Sequence, residues 1–572
     1  MPENARYQQI SGSDAILQLL ADAGVRYLFG NPGTTELPLV DALVDHPQID
    51  YILGLQEVPV MAMADGYAQA SRTPGVVNLH TCCGLGNAMG MLYNAYREGT
   101  PLIVTAGQQD RRLMLEEPIL WGDMVSVARP WTKWSYEVIR VEDVPTMIRR
   151  AIQTALTPPT GPVFLSIPID IQAEIAELDV EPSAPLNDRV RPPVAALQQA
   201  VDVLRTAKNP LICVGSRITE RDAVAELVRV AERIGAEVLS EAGTTHGRLG
   251  FPADHPLYGG GMPLWSHDVR DRLGDYDVLL VAGMDVVRQY VYHKPARPIP
   301  EHIRMVQIDE DQWQLNKNYP LAAAVLGDSK TSLAELEVML ADQMTAEEAA
   351  AAQSRAARWA ETHEQTRQQL RADIDGQRDE RPLTPAVMME SMARVLPDDV
   401  AVVEEAVTST GTMFERLAAL RNTSGYFGHR GWALGWGLGL SIGVQLAWPE
   451  RPVLAVLGEG ASMYGIQGLW TAARYNIPVT FVIANNAQYQ ILKIGARQMG
   501  LPAAQAGRFV GLDINAPEVD IVGIARALGV AAETVTEPDE LSDRVAESLA
   551  GDAPRLINVP IRRTQPERLG YA

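Results

Sequence analysis

The chain has 572 residues, 47% of them hydrophobic, with 46 Gly and 38 Pro, too long for one hydrophobic core and of a size for about three ordinary domains. Its 71 acidic against 49 basic residues leave a formal charge of −22 with no offsetting basic stripe, which excludes nucleic acid and anionic membrane as partners of the surface. No apolar run of roughly 18 residues and no basic-then-apolar leader is present, and three cysteines exclude a disulfide framework, so the expected setting is the cytoplasm, away from membrane.

In chain order, SGSDAILQLLADAGV predicts an amphipathic helix capped by Ser11 or Ser13, and RYLFG a short strand running into a turn. A strand is expected over residues 50–55, a helix through Ala64 and Tyr67, a strand at VVNLH, a Gly-rich turn and helix over 84–96, and a strand at PLIVTAG. Cys82 and Cys83 are adjacent, poor geometry for a bridge, and are expected to be two small buried residues in a tight turn. Strands alternating with helices imply a parallel sheet covered on both faces. Ligands of such sheets sit at the carboxyl ends of strands, where Gly30, His80 and Gly107 fall. GPVFLSIPIDI closes this unit, and EPSAPLNDRVRPP reads as a linker.

A second α/β unit begins near Ala195, with strands at PLICVG, DVLLVAG and RMVQID. The stretch 344–377, rich in Ala, Glu, Arg and Gln, predicts an exposed connecting helix, and a third α/β unit starts at Leu383-Thr384-Pro385. The expected division is 1–185, 195–342 and 378–572, with 343–377 as connector: three doubly wound parallel-sheet domains of α/β class. The first and third share a βαβ rhythm, which hints at two related domains flanking a different one.

The most informative motif is Gly458-Glu459-Gly460 followed, after a predicted helix over 466–475 and a buried strand over 479–484, by Asn485-Asn486. It places a carboxylate and a side-chain amide oxygen beside a turn rich in free N–H groups. Hard oxygens suit Mg²⁺ and exposed N–H groups suit phosphate, so the motif reads as a site for a metal-bridged diphosphate. Upstream lie Gly30-Asn31-Pro32-Gly33-Thr34-Thr35-Glu36, Gln56-Glu57 and His80 at the end of VVNLH. Alone, each has a bland reading: a common turn, a helix-start carboxylate, a polar strand end. Their order ahead of the metal–diphosphate motif gives them weight.

With these residues the chain resembles the thiamine diphosphate-dependent 2-oxo acid decarboxylase and acetolactate synthase superfamily over nearly its whole length, and within it the benzoylformate decarboxylase branch. GNPGTTELP, ADGYAQASR, GNAMG, PLIVTAGQQ, LWTAARYNIP and FGHRGWALGWGLGLSIGVQLA carry the resemblance. It implies pyrimidine-binding, middle and diphosphate-binding domains in that order, with thiamine diphosphate and Mg²⁺ as cofactors. Glu57 would hydrogen-bond the cofactor's aminopyrimidine and help remove the reactive proton. Glu459, Asn486 and the main-chain oxygen of Gln488 would hold Mg²⁺. Thr408, Gly460, Ala461 and Tyr489 would lie along the diphosphate, Leu434 would prop the bent cofactor, and Asn31 and Pro32 would border it. His80 and Thr34 would act on the substrate. Glu57 and Glu459 would come from different subunits of a homo-oligomer, a dimer at least and expected to be a tetramer.

The sequence departs from the family at several places. Glu459 stands where Asp is usual, and an added methylene moves the carboxylate by roughly 1.5 Å against a Mg²⁺ ligand distance of ~2.0–2.1 Å. Tyr290 takes the place of a middle-domain His, with His293 nearby; Ile491 replaces a small Ala and Gly495 a pocket Phe. Gln109, Tyr290, Ile491 and Leu492 are expected to line the substrate pocket. His429 and Arg430 are expected there too, Arg430 as a fork for a substrate carboxylate or phosphate, or else as a structural ion pair. The leading expectation is decarboxylation of an aromatic or branched 2-oxo acid with carboligase side activity. An acetolactate synthase-like carboligase, a branch that usually carries FAD, and a 2-hydroxyacyl-CoA lyase are the alternatives, followed by an inactive cofactor-binding scaffold.

Overall fold

The computed structural model describes residues 6–184, 186–241, 247–289 and 294–563. It contains three six-stranded sheets, each parallel throughout. The first sheet has the order Asp50–Leu53, Tyr27–Gly30, Gly75–Leu79, Leu102–Gln108, Val163–Pro168, Trp134–Glu137. The third has Tyr426–Phe427, Ala401–Glu405, Val453–Gly458, Val479–Asn485, Arg555–Pro560, Ala531–Thr534. Numbered within each unit, both read 2-1-3-4-6-5, whereas the middle sheet (Tyr258–Gly261, Glu237–Ser240, Pro210–Val214, Val278–Ala282, Arg304–Asp309, Ala323–Leu326) reads 3-2-1-4-5-6. Two units of one topology therefore flank a third of another.

The central strands are mainly apolar and buried along nearly their whole length because helices cover both faces. The first helix runs Gly12–Asp22 from a capping box between Ser11 and Asp14. Just before it, Tyr7–Ser11 pairs antiparallel with Ile175–Asp179, tying together the two ends of the first unit. The connector is a helix of 30 residues, Ala346–Asp375, started by a Thr345–Glu348 capping box. No helix among the described residues is long and apolar enough to cross a membrane. The expected buried turn at Cys82-Cys83 is instead the first turn of helix Thr81–Glu98, where Cys83 is exposed and Cys82 half-buried. The turn and helix foreseen over 84–96 merge, since Thr81 supplies the break in a left-handed conformation (φ +49°).

The first and third units share one core, in which Phe29 and Phe164 join Phe427, Trp436 and Phe481. Helix Glu57–Ser71 lies along helix Trp436–Ala447 at glycine-only separation. A Cβ on Gly66 would come 2.1 Å from the Leu440 carbonyl oxygen, and one on Gly443 1.9 Å from that of Met63. Edge contacts extend this docking: Tyr475 Oη donates to the Tyr51 carbonyl and accepts from Leu53 N, and Thr471 Oγ1 donates to the Leu53 carbonyl.

Candidate active site

The carboxyl edge of the first sheet gathers one group of predicted residues, because strands Tyr27–Gly30, Gly75–Leu79 and Leu102–Gln108 are neighbours. After Gly30 the chain turns through Asn31 and Pro32 into the short 3₁₀ turn Thr34–Glu36. Thr34 and Pro32 are exposed and Asn31 half-buried. Glu36 is fully buried, and its carboxylate accepts from Gly33 N (2.9 Å), Thr35 Oγ1 (2.6 Å), Gly107 N (2.9 Å) and His80 Nδ1 (2.8 Å). An ionised carboxylate only accepts, so this network assigns the proton to His80 Nδ1 and leaves Nε2 as the ring's acceptor nitrogen. Gly33 and Gly107 admit no side chain: a Cβ on either would come 2.1 Å from His80 Nδ1 or Glu36 Oε1 respectively.

Glu57 opens helix Glu57–Ser71, where the macrodipole favours a negative charge. It is buried, and its Oε2 accepts from Asn87 Nδ2 at 3.1 Å. Gln109 is held by its side-chain donation to the Ile119 carbonyl at 2.8 Å.

The carboxyl edge of the third sheet gathers the second group. Strands Val453–Gly458 and Val479–Asn485 are adjacent, with Gly458 opposite Ala484. Glu459 and Asn486, both buried, therefore emerge side by side. Gln488 N donates to Glu459 Oε1 and to Asn486 Oδ1, each at 3.1 Å, around a left-handed Ala487 (φ +50°). Burial pushes the Glu459 carboxyl up, against the N–H groups of the turn, and a cation would favour its ionised form. Among the described residues no group of three or more His, Cys, Asp or Glu side chains could hold a metal. A cation here would rest on one carboxylate with amide and main-chain oxygens, a donor set that fits a hard ion. Gly460 lies so close to Tyr489 that a Cβ would stand 2.9 Å from its ring, and Ala461 is buried beside it.

Thr408 is half-buried in the loop after strand Ala401–Glu405. Leu434, also half-buried, precedes Gly435, whose N–H donates to Glu405 Oε1 at 2.6 Å. Gly437 N donates to Glu405 Oε2 at 2.9 Å, so this carboxylate, pushed up to about 7 by burial, fixes the turn that presents Leu434.

Ile491 is half-buried and Leu492 46% exposed on helix Gln490–Gln498. Tyr290 lies outside the described residues. His429 and Arg430, expected in the pocket, are engaged elsewhere. His429 is buried, accepts from Trp432 N at 2.7 Å, packs 4.9 Å from Trp436, and is pushed down to about 3 by burial and then Arg288. Arg430 is buried against Glu98 and Glu220, the structural ion pair rather than a substrate fork.

Sequence reasoning missed Glu36, Glu405 and Asn87 as supporting residues. Glu36 was visible only as the last letter of a turn motif, and Glu405 as the end of an apolar strand; neither position reveals its partners. Glu36→Gln is expected to lower kcat/KM for an accepted 2-oxo acid on the order of 10²-fold, since an amide cannot accept from all four donors and frees the His80 tautomer. Steady-state kinetics across pH checks this, and an unchanged pH–rate profile would remove Glu36 from the chemistry.

Comparison with known proteins follows the same division. Residues 10–121 match the family described as Thiamine pyrophosphate enzyme, N-terminal TPP binding domain; 197–336 match its central domain and 406–559 its C-terminal TPP binding domain. The chain is 34% identical over 559 residues to benzoylformate decarboxylase of Pseudomonas aeruginosa, covering 96% of this chain and 99% of that one. It is 25% identical to the acetolactate synthase large subunit of Haemophilus influenzae, covering 95% and 93%. The crystal structure of benzoylformate decarboxylase from Polynucleobacter necessarius superposes with a TM-score of 0.84 at 30% identity, covering 97% of this chain and 99% of that one.

Proposed function

This chain belongs to the thiamine pyrophosphate enzyme family, and from that premise we infer a thiamine diphosphate-dependent carboxy-lyase that cleaves the bond between the carboxylate and carbonyl carbons of an aromatic or branched 2-oxo acid. The observation that carries the reading is the pair of strand-end clusters, one built on Glu36–His80 with Glu57, the other on Glu459–Asn486–Gln488. Thiamine diphosphate, when bound, supplies the electron sink that makes such a cleavage possible. Glu459, Asn486 and the Gln488 main-chain oxygen would hold Mg²⁺; Thr408 and the Gly460–Ala461 backbone would meet the diphosphate. Glu57 takes and returns a proton at the aminopyrimidine. His80 Nε2, its ring fixed by Glu36, exchanges a proton with the substrate beside Thr34. The half-buried apolar side chains of Ile491 and Leu434 would help to exclude water from that exchange.

Two copies would complete each site, and a cytoplasmic homo-oligomer is the expected form. Large apolar side chains stand exposed on both units that would meet: Leu115 (96%), Ile119 (85%) and Trp121 in the first, and Tyr464, Leu501 and Val510 (96%) in the third. Exposed large apolar side chains on both units favour a subunit interface.

The second reading is an acetolactate synthase-like carboligase. One observation weighs against the flavin of that branch. The strand order of the middle sheet reverses between Pro210–Val214 and Val278–Ala282, where a dinucleotide would lie. Across that point Arg217 pairs with Asp285 at 3.1 Å and with Asp309 at 2.8 Å. The purified protein is therefore expected to be colourless, with no flavin absorbance.

A panel of benzoylformate, pyruvate and branched-chain 2-oxo acids, with thiamine diphosphate and Mg²⁺, monitored for CO₂ and coupled products, tests the assignment. Release of CO₂ from benzoylformate or a branched acid is expected. Acetolactate from pyruvate as the main product would favour the carboligase, and inactivity toward all would refute the decarboxylase reading.

A further inference from the structure

A cavity of about 170 Å³ lies where the connecting helix meets the middle sheet and the third unit. Gly259-Gly260-Gly261, Arg272, Arg367 and Arg416 form much of its wall, and it shares no residue with either strand-end cluster. Its charges do not balance internally. Arg272 is neutralised by Glu237 at 2.6 Å, and the one carboxylate in the wall, Glu415, accepts from Tyr258 Oη. Among the described residues Arg367, only 13% exposed along its side chain, makes one ion pair, at 3.4 Å from Nε to the half-exposed Glu364. Arg416 is half-buried with no side-chain hydrogen bond or ion pair among the described residues, and burial lowers its pKa with no acid acting against it.

A guanidinium group withdrawn from water without a counter-charge, as at Arg416, is costly unless something supplies one, and Arg367 beside it has only a long contact to a half-exposed carboxylate. The protein as a whole carries −22, whereas the wall of this niche sets three arginines against the single carboxylate of Glu415. We propose that the cavity binds a phosphate group between the guanidinium forks of Arg367 and Arg416. Planar guanidinium groups match phosphate oxygens in paired hydrogen bonds. The glycine wall leaves main chain open to the ligand: Gly260 has φ +94°, and nothing lies within 4 Å of where its Cβ would be. The volume is below the ~300 Å³ at which pockets enclose larger ligands. It holds one phosphate, either free or the terminal group of an ester whose remainder projects outward.

The test uses the full chain saturated with thiamine diphosphate and Mg²⁺, so that the cofactor cleft cannot take up the probe. Inorganic phosphate and, separately, adenosine 5′-monophosphate are titrated calorimetrically. One equivalent per chain is expected, weakened at least about 10-fold in both Arg416→Gln and Arg367→Gln. Tighter binding of the monophosphate than of phosphate would identify an ester as the ligand, and the reverse order free phosphate. Circular dichroism checks that each variant is folded; if one is not, the other carries the test. Absence of saturable binding up to about 10 mM, or equal binding by parent and variants, would overturn the proposal. So would a change of oligomeric size in the variants with phosphate binding intact, which would make these arginines subunit contacts.

Discussion

An Arg430→Leu protein is expected to lose about 3–5 kcal/mol of stability, read as a lowered urea midpoint. Arg430 comes from the third unit, just after strand Tyr426–Phe427. Its Nε reaches Glu98 Oε2 of the first unit at 3.2 Å, and its Nη2 reaches Glu220 Oε1 of the middle unit at 3.1 Å. The Arg430 N–H and Nη2 also donate to Glu98 Oε1 and the Glu98 carbonyl. The side chains of Arg430 and Glu98 are 2% and 3% exposed, so removing the cation strands a buried carboxylate where three units meet. Leucine fills part of the space and keeps the main-chain N–H to Glu98 Oε1, but it leaves Glu98 Oε2, the Glu98 carbonyl and Glu220 Oε1 without the guanidinium donors.

The loss also has a pH signature. Burial pushes the Glu98 carboxyl up to about 7, Arg430 pulls it down, and Glu220 and Asp65 push it further up. A folded value above the unfolded one means that the group's contribution is present at low pH and fades as pH rises through about 7. Without Arg430 the folded value rises further, so the deficit of the variant relative to the parent, level at lower pH where both folded forms hold the proton, should widen between about pH 6 and 9. A deficit of constant size across that range would show that packing, not the stranded charge, accounts for it.

Arg430 also marks where the sequence ceased to be legible. Central strands such as VVNLH, PLIVTAG and RMVQID were readable because burial on both faces writes them as short, mainly apolar segments rich in Val, Ile and Leu. Trp134–Glu137 and Ala323–Leu326 were missed because edge strands are short and face solvent on one side. Glu237–Ser240 was missed because it opens on a charged residue. Tyr7–Ser11 became a strand only by pairing with residues near 177. Strand-end positions for Glu57, His80, Glu459 and Asn486 could be anticipated, since turns and strand ends leave local marks. Whether an Arg faces substrate or two carboxylates from distant parts of the chain leaves none.

Glu57→Gln is expected to slow turnover of the accepted 2-oxo acid by about 10²–10⁴-fold while leaving the thermal midpoint near that of the parent. Asn87 Nδ2 holds one carboxylate oxygen at 3.1 Å. The other faces Gly84, where a Cβ would press to 3.3 Å, tighter than side chains ordinarily pack, so the glycine keeps that side of the carboxylate clear. Glutamine reproduces the shape and can still bind Asn87, but it cannot take up a proton. Steady-state rates at saturating cofactor separate this from weakened binding. A variant within ~3-fold of the parent would mean that proton transfer at the cofactor does not pass through Glu57.

The glycine contact between helices Glu57–Ser71 and Trp436–Ala447 bears on anyone who would redesign this protein. Gly439 and Gly443 meet the Pro59 and Met63 carbonyl oxygens at 2.7 and 1.9 Å from would-be Cβ atoms, and Gly66 meets that of Leu440. Helix Glu57–Ser71 begins at the proposed proton carrier, and helix Trp436–Ala447 begins two residues after Leu434. A methyl group added at the crossing would wedge the two apart and shift both ends together. Libraries that seek new substrate scope should therefore spend their diversity at Ile491, Leu492 and Gly495, where side chains have room to change, and treat the three crossing glycines as a fixed axle.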